Sequence, residues 1–219
     1  MTDKQRENIS AEQAQEMAAE AEDRHRKLSP VWVSVFTVSA MSSVLMSIYV
    51  IFNLGIYFGY VPLDTQYFYA LLASLLPLVF LLYPIWPSVG PRNQVPWYDV
   101  IIAALAFGIP IYFVVSGERI IDEGWEYDAP DHAIYMTYAI WLIGLEAARR
   151  AGGLIIFLIC LLFSLYPILA PYAPGFLEGE ANTWADTATY HIFGTESLIG
   201  VPMQAFANLV VGFLIFGVA

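Results

Sequence analysis

Lysine is almost missing from this chain of 219 residues: Lys4 and Lys27 are the only two, and both precede the first long apolar stretch. A phosphate loop of the G-x-x-x-x-G-K-[ST] kind needs its lysine beside a glycine-rich turn, so ATP hydrolysis through such a loop is excluded. Cysteine is scarcer still. Cys160 stands alone, which excludes an internal disulfide framework and leaves the redox compartment unread. It lies mid-segment among Ile, Leu and Phe and reads as a small packing residue, because apolar surroundings disfavour the reactive thiolate. Charged residues make up 13%, about half the share usual in soluble proteins, too few to build a charged skin. The formal net charge of −11 repels phosphate backbones and excludes a nucleic-acid partner. The histidines His25, His132 and His191 are isolated, with no H-E-x-x-H, and there is no G-x-S-x-G nucleophile elbow. No enzyme activity and no resident cofactor is expected.

What the chain does have is apolar surface: 58% of its residues are hydrophobic and mean hydropathy is +0.60. The expected fold class is an all-α integral membrane protein, with about six transmembrane helices after a short polar N-terminal cytosolic helix. A spanning helix needs about 20 mostly apolar residues. Segments 31–60, 67–86, 98–115, 133–148, 152–169 and 201–219 meet or approach that length. Trp86, Trp97 and Tyr98 stand at segment ends, where amphipathic rings favour the lipid–water boundary. No internal repeat is visible. Residues 1–30 lack the apolar core of a secretory signal. Ser10 and Gln13 form a plausible capping box, so 11–27 is expected as a polar, solvated helix stopped by Pro30, with partner docking as the lesser alternative.

Cations set the orientation. Arg24, Arg26 and Lys27 precede the first segment, Arg92 lies between the second and third, and Arg149 and Arg150 between the fourth and fifth. Lysine and arginine near the membrane are retained in the cytoplasm, so a cytoplasmic N-terminus places all six inside and leaves only Arg119 outside. The outer side then carries eleven carboxylates, among them Glu126, Glu180, Asp186 and Glu196.

Ionisable groups at membrane depth are the next candidates. Asp99 follows Pro96, Trp97 and Tyr98 and reads as a carboxylate at a positive helix start. Glu146 stands three and four residues before Arg149 and Arg150, so on a helix the three share a face and form a structural ion pair or subunit clamp. Ser34, Thr37, Ser39, Ser42, Ser43, Ser47 and Asn53 crowd the first segment, which is expected to pack against protein and not only lipid. The stretch Gly194-Thr195-Glu196-Ser197-Leu198-Ile199-Gly200-Val201-Pro202 has two readings. It is a capped helix start, with Thr195 or Ser197 at the cap and Pro202 in the first turn, or a broken helix lining a solute path.

Several motifs occur in a particular order: Phe80-Leu81-Leu82-Tyr83-Pro84, Val95-Pro96-Trp97-Tyr98-Asp99, Leu145-Glu146-Ala147-Ala148-Arg149-Arg150 and Ala170-Pro171-Tyr172-Ala173-Pro174-Gly175. Gly194-Thr195-Glu196-Ser197, Gly200-Val201-Pro202 and Phe213-Leu214-Ile215-Phe216-Gly217 follow. From about residue 31 to 219, this order resembles the start of the fused permease of tripartite ATP-independent periplasmic (TRAP) transporters, in the branch served by TAXI-type binding proteins. The resemblance implies a multi-pass subunit in a bacterial or archaeal inner membrane. It implies uptake of an organic acid or related solute, delivered by a periplasmic TAXI-type binding protein and driven by an ion gradient. It also implies a small-subunit (Q-like) membrane region at 31–130 behind the cytosolic segment 1–30, and the start of a large (M-like) permease region at 131–219. Thr195, Glu196, Ser197, Gly200 and Pro202 would belong to the transport path. The coupling ion, sodium or proton, would bind outside this chain, in the remaining large permease portion. Family permeases continue well beyond this length, so the chain is expected to be an N-terminal fragment or half of a split gene. The alternative function is a non-transporting scaffold subunit that assembles a separate large permease.

Overall fold

The computed structural model describes residues 25–86 and 94–218. The helices are α1 (Pro30–Ile51), α2 (Gly55–Phe58), α3 (Asp64–Leu82), α4 (Trp97–Val115), α5 (Gly117–Asp122), α6 (Asp131–Leu169), α7 (Trp184–Phe193), α8 (Val201–Ala205) and α9 (Val211–Val218). A π turn, Phe206–Val210, joins the last two. No strand occurs among the described residues.

Four of these helices are long and apolar enough to cross a membrane: α1, α3, α4 and α6. At 1.5 Å per residue, the 22 residues of α1 reach about 33 Å and the 19 of α3 about 28 Å, close to the hydrocarbon thickness. Their surfaces are inverted relative to a water-soluble protein. Val31, Val38, Met41 and Leu45 on α1, and Leu154, Ile155, Leu162 and Phe163 on α6, are large apolar side chains standing exposed. Apolar patches of this extent mark contact with lipid or protein. The chain is an all-α, multi-pass integral membrane protein.

α3 is the centre of the bundle. Tyr67, Tyr69, Leu71, Phe80 and Leu81 are buried on it, and it packs on α1, α4 and α6. One face of α1 meets it through polar contacts: Ser39 Oγ donates to the Ser74 carbonyl at 2.6 Å, and Tyr67 Oη to Ser47 Oγ at 2.9 Å. Ser34 and Thr37 donate instead to carbonyls one turn back in their own helix. At the far end of α4, Phe113 meets Phe193 edge-on at 5.1 Å, and Tyr69 Oη donates to the Ile192 carbonyl at 2.8 Å, fixing α7 across the bundle.

α6 is 39 residues long and breaks at Gly153, whose φ of 82° and ψ of 180° suit glycine and few others. Its halves fold back on each other. The His191 ring lies 5.2 Å from the Trp141 ring, and its Nε2 is 2.8 Å from the Ser164 carbonyl. On a straight helix, residues 141 and 164 would stand roughly 34 Å apart.

Several expectations change. The first span ends at Ile51, not 60, because Asn53 turns to φ 50° and α2 follows as a separate turn. Residues 26–29 are extended, so the expected polar helix does not reach Lys27; its body, Arg24 and Arg92 lie outside the described residues. Cys160 is exposed on the apolar flank of α6 and not packed inside the protein. The last apolar segment is three abutting helical pieces, interrupted by the π turn.

Candidate functional site

α3 stops where proline removes a donor. The Phe80 carbonyl would pair with the N–H of residue 84, and Pro84 has none. Arg26 takes the vacancy: its Nη1 donates to the Phe80 carbonyl at 2.9 Å and its backbone N–H to the Leu82 carbonyl at 2.8 Å. Its Nη2 donates to Asp99 Oδ2 at 2.5 Å. The other carboxylate oxygen, Oδ1, accepts from Arg150 Nη1 at 2.7 Å. Arg150 also donates from Nε to Glu146 Oε1 at 2.7 Å and from Nη1 to the Tyr83 carbonyl at 3.2 Å. Arg149 grips Glu146 with two bonds of 2.7 Å and reaches the Ile85 carbonyl at 2.9 Å.

Five charged side chains from three places in the sequence therefore form one chain of contacts, Arg26–Asp99–Arg150–Glu146–Arg149. The side chains of Arg26, Asp99 and Arg150 are fully buried. Desolvating such ions is costly, and only full pairing makes their burial tolerable. Stacking adds to the pairing: the Arg150 guanidinium lies 5.0 Å from the Phe80 ring centroid, and that of Arg149 lies 4.6 Å from Trp86. Three arginines face two carboxylates, so the cluster keeps one positive charge. Arg26 Nε and Arg150 Nη2 are buried without a hydrogen-bond partner.

Two sequence readings are corrected here. Asp99 does stand in the first turn of α4, but that helix has no side-chain cap; the carboxylate is held by two arginines. Arg26 is not a solvated cation ahead of the bundle but a buried member of it.

The segment 194–202 lies elsewhere. Phe113, packed on Phe193, is about 21 Å along α4 from Asp99. Neither Thr195 nor Ser197 caps a helix. The N-cap of α8 is Gly200, with Pro202 in the first turn. A Cβ on Gly200 would lie 1.6 Å from the Thr195 carbonyl oxygen, so this turn closes only on glycine. Ser197 is buried and pairs with His191 Nδ1 at 3.1 Å. A carbonyl can only accept, so His191 Nε2 carries the proton toward Ser164, and Nδ1 accepts from the Ser197 hydroxyl. Ile199 packs inward, whereas Leu198, expected inside with it, is exposed. Thr195 and Glu196 are exposed. Glu126 lies beside this turn, and partial burial, then the nearby Glu196 charge, raise its carboxyl above the ordinary glutamate range. No group of three metal-ligating side chains occurs among the described residues.

Neither family models, nor curated proteins, nor solved structures give a match to this chain.

Proposed function

We propose that this chain is the membrane permease component of a TRAP-type secondary transporter. It would import an organic acid or related solute with a periplasmic TAXI-type binding protein, driven by a sodium or proton gradient. One observation carries the reading: motifs that support the resemblance converge in space. The Phe80–Pro84 turn, Asp99 of the Pro-Trp-Tyr-Asp run and the Glu146–Arg150 run meet in one buried network. In this reading residues 31–130 are the Q-like scaffold and 131–219 open the M-like region. The network bolts the two together. Six crossings, with 1–30 and the network at the cytoplasmic side of the inner membrane, place the segment 195–202 at the outer boundary.

A second reading is a scaffold subunit that does not itself transport. It is favoured by the position of the buried charges: among the described residues these are Arg26, Asp99 and Arg150, all at one end of the bundle and matched to each other.

Proteoliposomes holding the neighbouring large permease and binding protein, with and without this chain, separate the readings. Gradient-driven, ATP-independent uptake that needs this chain and fails with segment 195–202 replaced supports transport. Uptake by the large permease alone, with this chain raising only its yield, supports the scaffold. Uptake indifferent to the chain in both rate and yield overturns both.

A further inference from the structure

The cluster's surplus positive charge has an outlet. Beside it lies a cavity of about 350 Å³, lined by Tyr83, Trp86, Arg149, Arg150, Gly153 and Leu154. That volume is at the low end of small-ligand sites, about 300 Å³ and upward. Four features of its wall suit an anion. Arg150 presents a guanidinium whose Nη2 is buried and unpartnered, on a side chain with no exposure. An orphaned buried donor is costly unless something fills it. Arg149 adds a second guanidinium, held in place by Glu146 and by Trp86 beneath it. The backbone reverses at Gly153, so the second half of α6 begins here and turns its first N–H groups and positive dipole end toward the same space. Gly153 itself brings no side chain, and a Cβ there would meet nothing within 4 Å. Helix start, two arginines and a glycine together make a phosphate-binding arrangement.

We propose that this cavity binds a phosphate-bearing anion, presented by the headgroup of an anionic phospholipid. The lipid source is indicated by what adjoins the cavity. Leu154 forms part of its wall and is 62% exposed, and Leu158, one turn on, is 51% exposed, so an apolar track for acyl chains leads away from the charged end. Trp86, 57% exposed at the rim, is a side chain suited to the headgroup level. Basic pockets between transmembrane helices recognise anionic headgroups by this chemistry. The lipid would close the network from outside, supplying the negative charge that two carboxylates leave unmatched against three arginines.

The test is native mass spectrometry on the full chain purified in a neutral detergent, titrated with dioleoyl phosphatidylglycerol and with dioleoyl phosphatidylcholine. Phosphatidylglycerol is expected to bind about tenfold more tightly, or 1.4 kcal/mol. Leu154→Glu, which places a negative charge at the mouth, should abolish that preference, and the neutral Leu154→Gln should keep it. Trp86→Glu is the second repulsive variant, on another wall. Thermal unfolding in inorganic phosphate distinguishes the source. Phosphate that stabilises wild type but not Leu154→Glu, with no preference between the lipids, keeps the anion site and overturns the lipid source. Equal affinity for both lipids together with no phosphate effect overturns the site, as does a preference unchanged in both repulsive variants.

Discussion

Asp99 holds two arginines at once, Arg26 on Oδ2 and Arg150 on Oδ1, with all three side chains shut away from solvent. The carboxylate is thus the joint between the segment before α1, the start of α4 and the middle of α6. Asp99→Asn keeps the shape and removes the charge, leaving two buried guanidinium groups short of a counter-ion. A loss of about 3–5 kcal/mol is expected. Thermal unfolding in detergent reads this loss. A melting temperature within a degree or so of wild type would mean the network contributes nothing to the fold. The triple change Arg26→Met, Asp99→Leu, Arg150→Met should recover much of the loss, since replacing all partners leaves no ion unmatched.

Glu146→Gln weakens the hold on both Arg149 and Arg150 at the more exposed end of the network. It should lower the amount of assembled complex recovered more than the uptake per assembled complex. Full assembly with abolished uptake would instead make Glu146 part of the transport step.

The orientation is checked by reporters. A fusion after Arg150 should report from the cytoplasm, and an insertion at Gly124, a positive-φ glycine in the turn between α5 and α6, from the outer side. A cytoplasmic signal at Gly124 would invert the topology.

The turn before α8 makes a residue-by-residue prediction. In a Cys160→Ala background, cysteine at 195 or 196 should react from outside with a membrane-impermeant thiol reagent, while cysteine at 197 or 199 should be protected. Gly200→Ala forces the Thr195 carbonyl away and should release that protection. Uniform labelling from 195 to 210 would show a water-filled path where the structure has packed chain.

Glu126 adds a pH dependence. Its carboxyl titrates above the ordinary glutamate range, chiefly through burial and secondarily through Glu196. The stability it contributes is therefore fully present below the unfolded value and is lost as pH rises through the raised one. Melting temperature should fall across that interval just above the ordinary glutamate range. Glu126→Gln should flatten the slope and Glu196→Gln reduce it. An unchanged slope in Glu126→Gln would assign the titration to another group.

Much of this fold was legible as sequence. Uncharged runs of the right length mark α1, α3 and α4, and the Gly152-Gly153 pair after two arginines marks the break in α6. The spacing of Glu146, Arg149 and Arg150 placed them on one face before any coordinates. Arg26 was not legible, since a cation among other cations carries no periodic signal, and its partner is 73 residues away. A signal did exist in the Phe80–Pro84 spacing, which guarantees one unpaired carbonyl at a helix end and therefore a donor from elsewhere. His191 was hidden for the same reason: its partners, Ser164 and Trp141, come from two limbs of a hairpin that only the fold brings side by side.

The order in which a ribosome delivers these residues gives the network a history. Arg26 emerges first and is without its counter-ion until Asp99 is made; Arg150 follows 51 residues after that. During this interval the first apolar helices are already in the bilayer, while Arg26 waits at the water boundary. Its entry beneath α3 is therefore a late step, timed by the synthesis of Asp99 and sealed by Arg150. A nascent chain halted before residue 146 would hold half a clasp, so completion of the fourth apolar segment is the event that locks the first.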